Sequence, residues 1–302
     1  MQLVEALSQS NIEYKTATKD NEIWMCCPFC GEDRFRFGIN TQSGAAHCFN
    51  CEWKSKNALP ILQKRLRTGE LDSQVSDVQD REYEDPELPK DFEVLRKSNC
   101  TDRWTRKARR YIRKRGITDE QIKSRQIGVS LVGQYSYRII FPVVYKKKLL
   151  GLVTRDFTDK QEPKYLNSQG MKAIYNVPSK KRGSIILSEG IVKALWIERT
   201  LKVPSGAFLG SSITREQIRM LKGFTDVVLW PDPDIAGLKG IIKIAQVLKD
   251  KFKVWLVYPL PEYQADEMHK DLIKWHFKHN ARFDEKMEFR IKRRILQLKE
   301  DE

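Results

Sequence analysis

The stretch Ser184-Ile-Ile-Leu-Ser188-Glu189-Gly190 joins a short apolar run to a turn and opens a regular alternation of strand-like and helix-like segments. Strands are predicted over residues 184–188, 226–230 and 253–258, and helices over residues 191–199, 214–222 and 236–248. Such alternation is typical of a largely parallel sheet with helices on both faces. The sequence therefore predicts an α/β fold from residue 183 onward.

Acidic residues follow each of the three predicted strands. Glu189 comes directly after the first strand. Asp232 and Asp234 follow the second strand, and Asp266 lies in the loop after the third. Active sites of parallel sheets gather at the carboxyl ends of the strands, and clustered carboxylates repel unless a cation neutralises them. We therefore predict a site for Mg²⁺ or Mn²⁺ at this edge; the alternative is that the acids only cap helices, which Asp234 could do alone.

A strongly basic segment precedes this region. Residues 96–125 contain twelve Lys or Arg and three Asp or Glu, and the whole chain has a formal charge of +15. The helical spacing of four apolar or aromatic residues predicts a helix that packs along one stripe: Trp104, Ala108, Tyr111 and Ile112. We interpret the surrounding cations as contacts to a nucleic-acid backbone, with a merely solvated helix face as an equal alternative.

Two cysteine pairs lie near the N-terminus, Cys27-Pro-Phe-Cys30 and Cys48-Phe-Asn-Cys51. Two Cys-x-x-Cys pairs at this separation are typical of a tetrahedral structural zinc site. Alternating residues and a turn between the pairs predict a zinc ribbon over residues 24–53. Disulfides or buried thiols are the alternative, and Cys26 or His47 are looser candidates for ligands.

Composition divides the rest of the chain. Residues 68–91 contain nine Asp or Glu and two Lys or Arg, which is typical of a solvated linker. The predicted domains are a zinc ribbon (1–67), this linker (68–91), a basic subdomain (92–182), an α/β subdomain (183–262) and a helical C-terminal segment (263–302). That last segment either packs back on its own domain or offers a docking surface.

Neither a signal peptide nor a membrane span is expected. The start, Met1-Gln-Leu-Val-Glu-Ala-Leu, has no basic region leading into an apolar one, and the apolar runs are too short to cross a bilayer. Metal-spaced thiols without a secretion signal favour a cytoplasmic protein.

Taken in order, the motifs resemble those of DnaG-type DNA primases. Glu189-Gly190 with Asp232-x-Asp234-x-Ala236-Gly237 resembles the Toprim domain shared by primases and topoisomerases. Segments upstream resemble the primase polymerase domain in the same order: 111–118, 122–128, 138–142, 151–155 and 163–168. The cysteine segment resembles primase zinc-binding domains in the four-cysteine form of phage primase-helicases. The resemblance, over about residues 24–270, implies a multidomain protein with a small β zinc ribbon, an α/β Toprim-containing polymerase domain and a helical C-terminal tail.

The resemblance implies synthesis of short RNA primers from ribonucleoside triphosphates on single-stranded DNA during replication. By position, it implies four metal-binding acids: Glu189, Asp232, Asp234 and Asp266. It also implies a nucleotide and template groove that includes Arg155, Lys164, Tyr165 and Asn167, in which the first two orient phosphates. The zinc module, with Trp53 and Lys54, would read the template, although Trp53 could instead cap the small core of the ribbon.

Two positions depart from the family pattern. Lys193 stands four residues after Glu189, where many members carry an acid, and Gln264 stands where the last motif usually has one. These departures leave the second metal site open. Pro233, between the paired aspartates, is also unusual.

The motifs also bear on the expected protein partner and on alternative functions. The sequence has no Gly-x-x-x-x-Gly-Lys-Ser/Thr motif, so we expect a separate replicative helicase as a partner, docking near the C-terminal tail. This favours a phage or plasmid replication protein acting in the host cytoplasm. Two other functions remain open: a Toprim-type nuclease, and a non-enzymatic zinc-ribbon DNA-binding protein.

Overall fold

The structure is a computed structural model of the chain, and it describes residues 7, 12–16, 21–28, 35–49, 53–68, 86–161, 163–168, 173–210, 212–258, 260 and 262–300. The chain divides into two compact units. The smaller unit comprises residues 1–81 with 210–215, and the larger comprises residues 82–209 with 216–302. Most of the predicted linker, residues 68–91, lies outside the described residues.

The smaller unit contains a five-stranded antiparallel sheet whose strands lie in chain order. Its elements are β1 (Tyr14–Thr16), β2 (Glu22–Met25), β3 (Phe37–Asn40), β4 (Ala46–Cys48), β5 (Lys54–Ser55) and helix α1 (Leu59–Thr68). The predicted turn before β4 is confirmed, because Asn40 Oδ1 accepts hydrogen bonds from the backbone N–H groups of Gln42 and Ser43 at 3.1 and 2.8 Å. Gly44 completes this turn with φ of +71°, a conformation that favours glycine.

The core of the smaller unit lies on one face of this sheet. Phe37 is fully buried, and its ring centroid lies 5.6 Å from that of Trp53, which is 5% exposed. Ile39 on β3 and Leu62 on α1 belong to the same cluster. Trp53 therefore packs into the core, as the alternative interpretation of this residue predicted.

The larger unit begins with an antiparallel sheet of five strands in the order β10-β9-β8-β7-β6. The strands are β6 (Glu93–Val94), β7 (Gly128–Ser130), β8 (Arg138–Tyr145), β9 (Lys148–Asp156) and β10 (Tyr165–Asn167). Between β6 and β7 lie helices α2 (Arg103–Lys114) and α3 (Asp119–Ser124), and a 3₁₀ turn (Gly133–Tyr135) precedes β8.

Local capping explains where α2 and α3 begin. Asp102 Oδ1 accepts hydrogen bonds from the backbone N–H groups of Trp104 and Thr105 at 2.6 and 3.1 Å. Thr118 and Gln121 form a reciprocal capping box at the start of α3. Each cap satisfies N–H groups that the first turn of a helix leaves without partners.

The second sheet of the larger unit confirms the predicted α/β alternation. In chain order its elements are β11 (Ser184–Ser188), α4 (Ile191–Leu201), β12 (Ser205–Ala207), α5 (Arg215–Leu221), β13 (Asp226–Leu229), α6 (Ile235–Leu248) and β14 (Lys253–Leu256). The strand order is β12-β11-β13-β14-β15, and the first four strands are parallel. The three predicted strands are thus confirmed as neighbours, while the short strand β12 was not predicted.

The C-terminal segment packs on this second sheet. After a 3₁₀ turn (Ala265–Glu267) come α7 (Lys270–Lys278), β15 (Ala281–Arg282) and α8 (Glu285–Glu300). Met268 and Ile273 are buried in one cluster with Trp230, so this part of the tail packs back on its own domain. The segment is not only helical, because β15 pairs antiparallel with β14. Among the described residues, no helix has both the length and the apolar character that crossing a bilayer requires.

Candidate active site and nucleic-acid surface

The acids predicted from the sequence lie after parallel strands of the second sheet. Glu189 directly follows β11, Asp232 and Asp234 follow β13, and Asp266 lies beyond β14 in the 3₁₀ turn. Because the three strands are parallel neighbours, their carboxyl ends meet at the same edge. We call these four acids, together with Lys193, the acidic edge.

Asp232 is largely buried at this edge. Its side chain is 11% exposed, and its Oδ2 forms an ion pair with the Nζ of Lys193, whose side chain is 12% exposed. The other carboxylate oxygen, Oδ1, is buried without a hydrogen-bond partner. Burial raises the pKa of Asp232, the ammonium of Lys193 opposes this rise, and the charges of Asp234 and Asp266 add to it.

Asp234 has a different local role although it lies two residues away. It is exposed and begins α6 as the N-cap, with its Oδ1 accepting a hydrogen bond from the backbone N–H of Gly237 at 2.6 Å. The capping alternative therefore holds for Asp234. It does not hold for Glu189, because the N-cap residue of α4 is Gly190.

The two departures from the family pattern contact each other at the acidic edge. Lys193 Nζ donates a hydrogen bond to Gln264 Oε1 at 2.8 Å in addition to its ion pair with Asp232. Gln264 directly precedes the 3₁₀ turn that carries Asp266. Sequence reasoning noted both residues but missed their contact, because they are 71 positions apart.

Two glycines let the backbone of the acidic edge approach neighbouring side chains. A Cβ atom at Gly237 would lie 2.6 Å from the Cβ of Asp232 and 3.0 Å from its carbonyl oxygen. A Cβ atom at Gly190 would lie 3.0 Å from Cε of Lys193. Real Cβ atoms avoid such distances, so glycine at position 237 permits the placement of Asp232 and glycine at position 190 makes room for the lysine stem.

The acidic edge has an anionic oxygen suited to a cation, but it does not have a preformed set of metal ligands. The buried Oδ1 of Asp232 is an anionic oxygen without a partner, which a cation would satisfy. Within the described part of the chain, however, no three His, Cys, Asp or Glu side chains are gathered closely enough to hold a metal ion. Asp232 is therefore the residue around which a bound ion would be organised.

Helix α2 presents the cations predicted from the sequence. Its buried residues are Thr105, Ala108 and Ile112, so one stripe packs against the unit. The opposite side is exposed and basic, with Arg106, Lys107, Arg110, Arg113 and Lys114. The predicted division into a packed stripe and a cationic surface is confirmed, except that Trp104 and Tyr111 are half-buried. We call α2 the basic helix.

The residues predicted to line the nucleotide groove differ in exposure. Lys164, Tyr165 and Asn167 are exposed at strand β10, the edge of the antiparallel sheet. Arg155 pairs with Tyr165 across β9 and β10 but is only 6% exposed. Its Nε donates a hydrogen bond to Tyr111 Oη at 2.7 Å, and its guanidinium carbon lies 4.6 Å from the ring centroid of Tyr165.

Arg138 is a positioning residue that sequence reasoning missed. Its side chain is buried, and its Nη1 and Nη2 donate to the carbonyl oxygens of Lys164 and Pro163 at 3.3 and 2.8 Å. These bonds hold the segment that leads into β10. The available signal was an arginine at the start of the otherwise apolar run Arg138-Ile-Ile-Phe, since a buried arginine requires several acceptors.

The described cysteines of the predicted zinc site are buried in the smaller unit. Cys27 follows β2, and Cys48 ends β4 and pairs with Phe37. Both have at most 1% exposure. Cys30 and Cys51, the other two predicted ligands, lie outside the described residues. Of the looser candidates, the His47 ring lies 4.4 Å from that of Phe49, and Cys26 is half-buried.

The chain is similar to curated DNA primases over most of its length. It is 24% identical to the DNA primase of Staphylococcus epidermidis in an alignment 307 positions long, gaps included, that covers 78% of this chain and 50% of the relative. It is also 24% identical to the DNA primase of Halalkalibacterium halodurans in an alignment 323 positions long, gaps included, that covers 82% of this chain and 54% of that protein. The chain thus spans about half the length of these relatives. No protein-family model matches it.

Solved structures with the same fold are DnaG primase domains. The catalytic domain of DnaG primase bound to single-stranded DNA superposes with a TM-score of 0.54 at 17% identity, covering 61% of this chain and 75% of that chain. A DnaG catalytic core gives a TM-score of 0.53 at 17% identity, with coverage of 61% and 76%. Together with the curated relatives, these neighbours confirm the resemblance to DnaG-type primases that the motifs indicate.

Proposed function

We propose that this chain synthesises short RNA primers from ribonucleoside triphosphates on a single-stranded DNA template during DNA replication. The observation that carries the proposal is the acidic edge, where the charges of Asp234 and Asp266 act on the buried carboxyl of Asp232 at the carboxyl ends of parallel strands. Similarity to DNA primases over 78% and 82% of the chain supports this assignment.

The reaction joins the 3′-hydroxyl of one nucleotide to the α-phosphate of the next and releases pyrophosphate. Mg²⁺ or Mn²⁺, held by Glu189, Asp232 and Asp234 with Asp266 as a fourth acid, would favour the ionised hydroxyl and offset charge on the leaving oxygens. We interpret the sheet that carries these acids as a Toprim subdomain. Its parallel strands and the position of each acid after a strand support that interpretation.

The antiparallel sheet and the basic helix would hold the template and the incoming nucleotide. Exposed Lys164 would attract phosphates, and exposed Tyr165 offers a ring on which a base can stack. Asn167 lies on the same exposed face of β10. Arg155 would contribute a positive charge beneath Tyr165, because its guanidinium contacts that ring. Arg106, Lys107 and Arg110 would contact the DNA backbone.

We infer that the smaller unit holds a structural zinc ion through Cys27, Cys30, Cys48 and Cys51. The burial of Cys27 and Cys48 in the same cluster supports the inference, because the two Cys-x-x-Cys pairs of a tetrahedral zinc site must lie close together. Zinc analysis is expected to find one ion per chain in the wild type and a loss of that ion in Cys48→Ser. Full zinc content in Cys48→Ser would count against this ligand set.

We propose a separate replicative helicase as the partner of the C-terminal segment. The proposal is motivated by exposed apolar side chains on α8, where Phe289 and Leu296 are 68% and 58% exposed. Addition of the cognate helicase at limiting primase is expected to raise primer yield. Equal yield with and without the helicase would count against the partnership.

Product analysis tests the proposed function against the two alternatives. The wild-type protein is incubated with labelled ribonucleotides, single-stranded DNA of mixed sequence and Mg²⁺ or Mn²⁺. Short alkali-sensitive products are expected for a primase, whereas a nuclease would shorten labelled DNA. A non-enzymatic zinc-ribbon protein would bind DNA and change neither polymer, and that result with cognate helicase present would overturn the proposal.

A further inference from the structure

Lys193 occupies an unusual place for a lysine at a site that is expected to bind cations. Its Nζ lies between Asp232 Oδ2, with which it forms an ion pair, and Gln264 Oε1 at 2.8 Å. The side chains of Lys193 and Asp232 are 12% and 11% exposed, so water screens this pair weakly. The ammonium therefore neutralises Asp232 much as a bound ion would.

The surroundings of Lys193 are built to keep the ammonium at this position. Gly190, in the preceding turn, leaves room for its stem, since a Cβ atom there would lie 3.0 Å from Cε of Lys193. Gln264 presents a neutral oxygen to the ammonium. An acid at position 264 would add a charge next to Asp266 and would itself attract a divalent ion.

The two oxygens of Asp232 therefore face different conditions. Oδ2 is occupied by the ammonium, while Oδ1 is buried and has no hydrogen-bond partner. One side of the carboxylate is thus left for a divalent ion. The other side already carries a positive charge that is fixed covalently to α4.

We propose that Lys193, held by Gln264, is a permanent cation of the acidic edge and takes the place of one divalent ion. This inference builds on the proposed function, since it concerns the same site. It assigns Lys193 as a positioning residue that sets how many ions the edge binds, and it predicts that the edge binds fewer divalent ions than a variant in which both residues are acids.

The number of divalent ions bound at the acidic edge can be measured directly with Mn²⁺. Electron paramagnetic resonance reports the free Mn²⁺ that remains in a solution of the zinc-loaded chain without nucleotide. Lys193→Glu together with Gln264→Glu is expected to bind one more Mn²⁺ ion per chain than the wild type. Lys193→Met is expected to bind Mn²⁺ at least about tenfold more tightly, because the competing positive charge is gone. Lys193→Arg, which keeps the charge, is expected to bind like the wild type.

Control variants separate this site from other binding. Lys286→Glu with Gln297→Glu makes the same charge change at exposed positions of α8 and is expected to leave Mn²⁺ stoichiometry unchanged. Asp232→Ala is expected to lose the ion at the edge. If Lys193→Met is too unstable at low ion concentration, a larger Mn²⁺-dependent rise in Tm than in the wild type gives the same information.

Unchanged Mn²⁺ affinity and stoichiometry in both Lys193→Met and the double acid variant would overturn the inference. This result is distinguishable from failure of the proposed function, because Mn²⁺ binding is measured without substrates. RNA synthesis by the wild type with no effect of Lys193 on Mn²⁺ binding would remove only the inference. The predicted Mn²⁺ changes without RNA synthesis would remove only the function.

Discussion

At the acidic edge, the side chains of Asp232 and Lys193 are largely buried and neutralise each other, whereas those of Arg106 and Lys107 on the basic helix are exposed. A buried charge interacts strongly with neighbouring charges, so its partner and its position are fixed by the fold. An exposed charge is screened by water and salt, and it acts mainly on a polyanion at the surface. The difference indicates that the acidic edge is suited to chemistry and the basic helix to retention of the template.

Apart from loss of the Asp232 carboxylate itself, displacement of that carboxylate should produce the largest effect on this comparison. Gly237→Ala would place a Cβ atom 2.6 Å from the Cβ of Asp232, although alanine is intrinsically the better helix former. We expect primer synthesis to fall by about tenfold to a hundredfold, because misplacing a site residue by about 1 Å costs rates of that order.

Gly190→Ala is the matched control for that experiment. Its nearest neighbour is the flexible end of the Lys193 side chain at 3.0 Å, so a smaller loss of synthesis is expected. Rates are compared by labelled ribonucleotide incorporation at equal folded fraction. Wild-type synthesis by Gly237→Ala would show that the position of Asp232 is not critical.

Gly116 joins the two regions, and its substitution should lower the free energy of unfolding. It has φ of +80°, and a Cβ atom there would lie 2.5 Å from the Trp196 ring of α4. Its carbonyl oxygen accepts a hydrogen bond from Arg199 Nη1 at 2.6 Å. Gly116→Ala is expected to destabilise the protein by about 2–4 kcal/mol in urea unfolding, from backbone strain and overpacking together.

Gly133→Ala isolates the backbone part of that effect. Gly133 also has positive φ, +70°, but no atom lies within 4 Å of where its Cβ would be. We expect a loss of about 1 kcal/mol in the same measurement. Equal losses of unfolding free energy for the two variants would mean that the close approach of Gly116 to the Trp196 ring adds no packing cost to the backbone strain.

Neutralisation of the basic helix should weaken template binding without altering the chemistry. Arg106→Gln with Lys107→Gln is expected to bind single-stranded DNA about tenfold more weakly and to reduce the salt slope of log K by about 1.4. Lys286→Gln with Arg293→Gln, at exposed positions of α8, is the charge-matched control. A fluorescence-anisotropy titration at several salt concentrations distinguishes them, and identical slopes for the two pairs would contradict the assignment of the basic helix.

The smallest expected effect is at the start of the basic helix. Asp102→Ala removes the N-cap and is expected to cost about 1 kcal/mol of unfolding free energy. The hydrogen bond from Thr105 lowers the pKa of Asp102 below its ordinary value, as do the backbone N–H groups. The folded pKa is therefore the lower one, so the stabilisation is present near neutral pH and is lost as the pH falls through that folded pKa. Stability of wild type and Asp102→Ala should converge in acid; a constant difference would contradict the capping role.

The elements predicted from the sequence are those whose own residues specify them. β11 and β13 are continuous apolar runs buried in the second sheet, and such runs are distinctive along a chain. β12 and β15 were not predicted, because their three and two residues become strands only through pairing with β11 and β14. Tertiary pairing of this kind leaves little trace in local sequence.

The candidate site divides in the same way. The positions of Glu189, Asp232 and Asp234 after strands could be read from the sequence, because strand ends and acids are both local features. The contact of Lys193 with Gln264 could not, since it joins α4 to a turn 71 residues away. The burial of Arg155 was equally inaccessible, because it depends on Tyr111 from the basic helix.

The most direct test of the account compares wild type with Asp232→Ala in two measurements on the same single-stranded DNA. These are labelled ribonucleotide incorporation and DNA binding, with Asp250→Ala as an exposed control. The account predicts that Asp232→Ala abolishes RNA synthesis while DNA binding stays close to the wild type and Asp250→Ala retains both. RNA synthesis by Asp232→Ala at the wild-type rate would contradict the assignment of chemistry to the acidic edge.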